Sequence, residues 1–195
     1  MSRRAPNTPS RASSRDAFIR ATGRLLRQQG YDATGLSEIV AGSGAPKGSL
    51  YFHFPGGKEE LAVAAMQREG GQLRSAIASI MSSGDDLAAA LGALVDALAQ
   101  GLEGSGFRDG CPIATVTLEA ATRSEAVRAT AASVFESWLE ALQEGFMARG
   151  LDSPTARRRA LLALSAIEGA LILARARRDL EPLVAVREEL VELMA

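Results

Sequence analysis

The stretch GYDATGLSEIVAGSGAPKGSLYFHFPGGKEEL, Gly30 to Leu61, decides how this 195-residue chain is read. It holds both lysines of the chain, Lys47 and Lys58, and its single histidine, His53, while arginine supplies the positive charge everywhere else. Leu36 to Gly42 fits a short helix with Leu36, Ile39 and Val40 facing inward, and the GSG at 42–44 breaks it. Pro46 sits where a first-turn proline is tolerated and starts another short helix, which Pro55 and the following glycines end. Two short helices joined by a glycine turn form a candidate helix-turn-helix. In that motif the second helix lies in the major groove and its first residues approach the bases.

The composition of the second helix explains why the lysines and the histidine gather there. Leu50 and Phe54, one turn apart, can anchor it to a small core. Lys47 stands at its start, free to reach a base edge or a phosphate. Gly48 permits close backbone approach. Ser49, Tyr51 and His53 carry hydrogen-bonding groups suited to phosphate oxygens, which take most contacts in such interfaces. Lys58 opens the next helix, where an ammonium group and a helix N-terminus can grip a phosphate together. Read blandly, the same residues solvate a surface helix, but the charge distribution favours the nucleic-acid reading. Residues 1–58 carry nine Lys/Arg against three Asp/Glu, a net +6, and residues 59–195 carry thirteen against twenty, a net −7. A basic unit joined to an acidic body is the footprint of a nucleic-acid-facing domain.

Working outward, residues 1–12 are polar, basic and proline-containing, and read as a disordered arm whose Arg3, Arg4 and Arg11 can add phosphate contacts. A first helix starts at Ser13 or Ser14, turns Phe18, Ala21, Leu25 and Leu26 inward and stops at Gly30. Beyond the motif, a long helix runs from Lys58 to about Met81, and a helix over Leu87 to Leu98 follows. A Gly-rich break spans 101–112, and a short helix runs from Pro112 to about Thr122. The TRSE run has capping-box spacing from Thr122 to Glu125 and leads a helix through Met147. Ser153 caps, and Pro154 opens, a helix to about Arg178, and Pro182 opens the last. About nine helices and no convincing strand make the fold all-α, with an Ala/Leu-rich apolar content to match.

Composition also excludes. One cysteine, Cys111, rules out a disulfide framework and a Cys-rich zinc site. With no signal peptide and no apolar run of about 18 residues, a cytoplasmic protein with no membrane partner is expected. An enzyme would have to work with one His and one Cys lying 58 positions apart, without a glycine-rich nucleotide loop or metal-ligand spacing. Neither a cofactor nor a metal is expected, and no residue is assigned a catalytic role.

The Gly30–Leu61 segment resembles the DNA-binding segment of TetR-family transcriptional regulators. Gly30-Tyr31, Thr34, Ile39, Gly44, Lys47-Gly48-Ser49-Leu50-Tyr51, His53-Phe54 and Lys58-Glu59 match the family pattern in register. Val40, Gly35 and Pro46 depart from it, Gly35 by removing a hydroxyl cap. The resemblance implies a head over residues 13–58 that meets double-stranded operator DNA through Thr34, Ser37, Lys47, Gly48, Ser49, Tyr51, Phe52, His53 and Lys58. It also implies a helical body, 59–195, that dimerises and binds a small effector. The segment GSGFRDGCPIATVTLEAATRSEAVR, 104–128, is similar to the LmrA/YxaF-like branch, associated with efflux or resistance genes.

Within that body, Phe107, Cys111, Ile113, Thr117, Phe135, Trp138, Leu139 and Glu168 are candidates for a pocket taking a mid-sized, mostly apolar ligand. Glu168 interrupts an apolar stretch, and either a cationic ligand or an arginine such as Arg123 or Arg175 can pair with it. Cys111 reads as a small buried residue, with redox sensing as the alternative. For the homodimer, Gly169 and the alanines around it permit close helix approach. Leu164, Ile167, Leu171 and Leu190 supply the apolar area. Ligand-released repression is the leading functional reading. Activation, or a ligand-binding module with a degenerate head, are its rivals.

Overall fold

The computed structural model describes residues 11–84 and 86–194, with side chains described for 14–84 and 86–193. The expected basic arm lies outside them, apart from residues 11 and 12, which already belong to the first helix. Nine helices and no strand are formed among the described residues. They are α1 (Arg11–Gln29), α2 (Leu36–Ser43), α3 (Lys47–His53), α4 (Gly57–Ser82) and α5 (Leu87–Gly104), followed by α6 (Pro112–Ala120), α7 (Glu125–Met147), α8 (Ser153–Arg177) and α9 (Glu181–Met194).

Local chemistry sets most boundaries. Gly30, at φ +80°, takes the left-handed conformation that ends α1, as glycine does at low cost. Gly35 precedes α2 with no side chain to cap it, and the Glu38 carboxylate instead reaches back to the Gly35 N–H at 3.0 Å. Two expected caps shift by one or two residues. The cap of α7 is Ser124, whose hydroxyl accepts from the Val127 N–H, rather than Thr122. That of α8 is Asp152, accepting from the Thr155 N–H, which places Ser153 and Pro154 inside the first turn. The expected break at 101 starts later, because α5 continues to Gly104 before Gly106 and Phe107 turn left-handed.

The head is α1, α2 and α3 around Phe18, Leu26, Ile39, Leu50 and Phe54, all at most 1% exposed. Phe18 and Phe54 meet edge to face with ring centroids 6.4 Å apart, so the anchoring role expected of Phe54 is met. Helix α4 belongs to both halves. Its first turns bury Leu61, Ala62, Ala65 and Met66, and its second half lies along α7. Two glycines allow that approach. A Cβ on Gly70 would overlap Val134, and one on Gly145 would stand 2.7 Å from Met81 Cβ. The Trp138 indole N–H donates to the Gly70 carbonyl at 2.8 Å, so the largest side chain of the core is locked to the helix leaving the head. Helices α8 and α9 pack on α7 and α5.

Helix α5 corrects one expectation. It is long and apolar enough, by length and composition alone, to cross a membrane. Its Leu87, Leu91, Leu94, Val95 and Leu102 are buried in the protein core, and its Asp96 pairs with Arg187 of α9 at 2.8 Å. That is the placement of an interior helix.

Candidate functional site

Helix α3 turns one side into the head and presents the other to solvent. Leu50 is buried, and Lys47, Gly48, Tyr51 and Phe52 are exposed, Tyr51 at 59% and Phe52 at 65%. Large aromatic side chains at such exposure are unusual on a short helix. Ser37 of α2 is exposed as well. A Cβ added to Gly48 would meet no atom within 4 Å among the described residues, so none of their contacts requires glycine there. Ser49 is half-buried and spends its hydroxyl on the Pro46 carbonyl at 2.7 Å. The His53 ring stands beside the rings of Phe52 and Phe54.

Two expected contact residues also bond within the protein. Thr34 is 1% exposed, and its hydroxyl donates to the Gly30 carbonyl at 2.6 Å, so it holds the α1–α2 turn from inside. The Lys58 ammonium donates to the Asp32 carbonyl at 3.2 Å and rests 4.5 Å from the centre of the Tyr31 ring, a cation–π contact. It ties α4 to the same turn. Two groups of the body also grip this turn. The Glu119 carboxylate of α6 accepts the N–H of Tyr31 at 2.6 Å and of Asp32 at 2.8 Å, and Arg123 pairs with Asp32.

In the body a cavity of about 500 Å³ opens between α4, α5, α7, α8 and the loop before α6. Cys111, Ile113, Trp138 and Glu168 line it, as expected. Phe107, Thr117, Phe135 and Leu139 do not. Phe107 is drawn aside by its left-handed backbone, φ +59°, Thr117 hydrogen-bonds to the Ile113 carbonyl within α6, and Phe135 packs edge-on against Trp138. In their place stand three residues assigned to the dimer contact, Leu164, Ile167 and Leu171. Leu190 is also buried in its own chain, at 3%. The open side of α8 carries Leu161, Leu162, Ile172 and Leu173, with Val184 and Leu193 exposed on α9, and a Cβ on Gly169 would meet nothing. Of the residues expected at the dimer contact, Ile167 and Leu190 are buried in their own chain, whereas Leu164, Gly169 and Leu171 are half-buried.

Sequence reasoning missed the rim of the cavity, where Arg27 of α1, Glu69 of α4 and Asp109 of the loop converge. Arg27 pairs with Glu69 and, at 3.4 Å, with Asp109 Oδ2. These residues lie far apart in the chain, and no local signal joins them. Deeper in, desolvation raises the Glu168 carboxyl from its ordinary value, partly offset by a hydrogen bond with Cys111. Burial first, and the Glu168 charge second, hold the Cys111 thiol well above its ordinary value.

A two-helix reading motif with an exposed face, set by a long helix onto a hollow helical body, defines a helix-turn-helix DNA-binding protein. Among known proteins, a family model described as bacterial regulatory proteins of the tetR family matches residues 18–65. One described as transcriptional regulator LmrA/YxaF-like, C-terminal domain, matches residues 88–189. The chain is 37% identical over 185 residues to the uncharacterized HTH-type transcriptional regulator Rv0196 of Mycobacterium tuberculosis, covering 92% of this chain and 93% of that one. It is 35% identical over 181 residues to the uncharacterized regulator YxaF of Bacillus subtilis, covering 93% and 95%. The fold matches the crystal structure of a TetR transcriptional regulator from Legionella pneumophila with a TM-score of 0.82 at 21% identity, over 99% and 100% of the two chains. The chain belongs to the TetR family of transcriptional regulators, in its LmrA/YxaF-like branch. That family is one of DNA-binding regulators and not of enzymes.

Proposed function

We propose that the protein is a cytoplasmic, dimeric repressor that releases its operator when a small, mostly apolar effector fills the cavity of the body. Its targets would be neighbouring genes or genes of the efflux and resistance type. The observation that carries this reading is Arg27. It belongs to α1 of the head, yet it lines the cavity and is held there by Glu69 and Asp109. A ligand that disturbs those pairs acts directly on the element that positions α2 and α3. Helix α4 offers a second route, since it leaves the head and lines the same cavity through Leu73 and Ile77. A useful switch needs the effector to distinguish the two states by about 1–3 kcal/mol.

The exposed apolar stripe of α8 and α9 supplies the dimer contact. Two-fold pairing would present the two copies of α3 about 34–36 Å apart, one turn of DNA. Lys47, Gly48, Tyr51 and Phe52, with Ser37 beside them, would face the groove. Domain limits of 13–58 for the head and 59–195 for the body fit this division of labour.

Fluorescence anisotropy against duplexes from upstream of the gene and its neighbours, with a random duplex at the same salt, tests the reading. Binding to one fragment at least ~1000-fold tighter than to random DNA is expected. Equal, salt-sensitive binding to all of them would favour the ligand-binding module with a degenerate head. Transcription from the bound promoter, rising or falling with added protein, separates activation from repression.

A further inference from the structure

The lining of the cavity says which chemistry its occupant carries. Apolar walls come from every side, among them Leu73, Ile77, Leu94, Leu98, Trp138 and Ile167. The ionisable residues that line it are Arg27, Glu69, Asp109, Cys111 and Glu168. Three carboxyl groups thus face one guanidinium, and that guanidinium is already engaged by Glu69 and by Asp109 Oδ2. Among the described residues, two buried oxygens, Asp109 Oδ1 and Glu168 Oε2, have no hydrogen-bond partner. Helices α5 and α7 contribute no charged residue to the lining. Arg175, two turns beyond Glu168 on α8, donates to the Gln28 carbonyl at 3.0 Å and makes no ion pair with Glu168 among the described residues.

Buried carboxylate oxygens without donors are costly, and a donor brought in by a ligand removes that cost. An anionic ligand would be repelled by the same groups, and a purely apolar one would leave them unmatched. We propose that the cavity takes an organic cation: a mid-sized, mostly apolar molecule with one ammonium-type group, which Glu168 receives with the free oxygen of Asp109 as second acceptor. This rests on the effector reading above and gives that effector a chemical class. Desolvation raises the Glu168 carboxyl from its ordinary value, so an ammonium ligand gains as that carboxyl ionises. Its affinity then climbs with pH until Glu168 is ionised, with Cys111, Asp109, Glu69, Arg27 and Arg175 the other titratable or charged groups around the site.

Trp138 is the single tryptophan of the chain and lines this cavity, so its fluorescence reports occupancy. Three probes of one shape separate the possibilities: 4-phenylbutylammonium, which brings N–H donors with its charge, 4-phenylbutanol and 4-phenylbutanoate. The cation should bind about tenfold or more tighter than the alcohol, with the carboxylate weakest. Glu168→Gln should erase the advantage of the cation over the alcohol. A pH series on the unaltered protein should show the cation gaining affinity as pH rises while the alcohol does not. Equal binding of cation and alcohol, a cation preference that survives in E168Q, or no quenching by any probe at millimolar concentration would each overturn the proposal. Operator release, read in parallel, tests the effector reading separately. Release by the alcohol as readily as by the cation would sink the ligand class alone, and tight cation binding without release would sink the effector reading alone.

Discussion

The Glu119 carboxylate of α6 accepts the backbone N–H groups of both Tyr31 and Asp32, so a side chain of the body fixes the turn from which the reading motif starts. Gly30 makes room for it. A Cβ at Gly30 would overlap Glu119 Oε1, and the backbone there is left-handed at φ +80°. Glu119→Ala should cost about 1.5–3 kcal/mol in urea unfolding, because two charge-assisted bonds go at once. Gly30→Ala should cost a similar amount, ~1–3 kcal/mol, through strain and the displaced carboxylate. A loss within ~0.5 kcal/mol for both would mean that this clamp does not hold the turn.

Gly48 makes the opposite case. An added Cβ meets no atom of the described residues within 4 Å and Gly48 lies in a helix, so Gly48→Ala should leave stability unchanged or raise it by about 0.5–1 kcal/mol. The same variant should weaken operator binding, since the added methyl group occupies space that DNA backbone would approach. Lys47→Ala should also weaken binding and lower the slope of log affinity against log salt by about one. Unfolding midpoints and anisotropy titrations at several salt concentrations check both. Unchanged operator affinity in the two variants would remove α3 as the reading helix.

Ile172 and Leu162 are more than half exposed on α8, whereas Ile167 is 3% exposed. Ile172→Arg should therefore yield folded monomers in sedimentation and lose tight operator binding, because a single head grips only a half-site. Folded dimers in I172R would place the contact elsewhere.

Glu168 gives the stability of the empty protein a pH dependence of its own. Its carboxyl is held above the usual 4.5 by desolvation, with Cys111 opposing. A carboxyl whose folded value is raised contributes stability at pH below the unfolded value, and that contribution fades as pH rises through the folded value. Glu168→Gln removes this group from the titration. The melting temperature of E168Q should thus gain on that of the parent as pH rises above the ordinary carboxylate range. Parallel melting profiles from acid to neutral pH would show that Glu168 ionises there without strain.

Much of the fold was legible because its determinants are local. Glycines at 30 and 44 adopt positive φ and end α1 and α2, and the spacing of Leu50 and Phe54 gave the buried side of α3. Caps were harder, since several hydroxyls and carboxylates stand near each helix start and one residue of phase decides which one bonds. That is how Ser124 and Asp152 displaced Thr122 and Ser153. Thr34 and Lys58 carry the side chains expected of a DNA-binding head, yet geometry turns the hydroxyl to the Gly30 carbonyl and the ammonium to Tyr31 and Asp32.

The sequence by itself determined an all-α chain, a basic reading helix with its charged start, and membership of a family of regulators. Each of these is written in residue type and short-range spacing. Only the tertiary structure decided which side of α8 faces inward, because alanines and leucines occur all round that helix and its periodicity favours no single face. The same holds for the rim of the cavity. Arg27, Glu69 and Asp109 are separated by 42 and 82 positions from the arginine, and only the close approach of α1, α4 and the loop before α6 makes them neighbours.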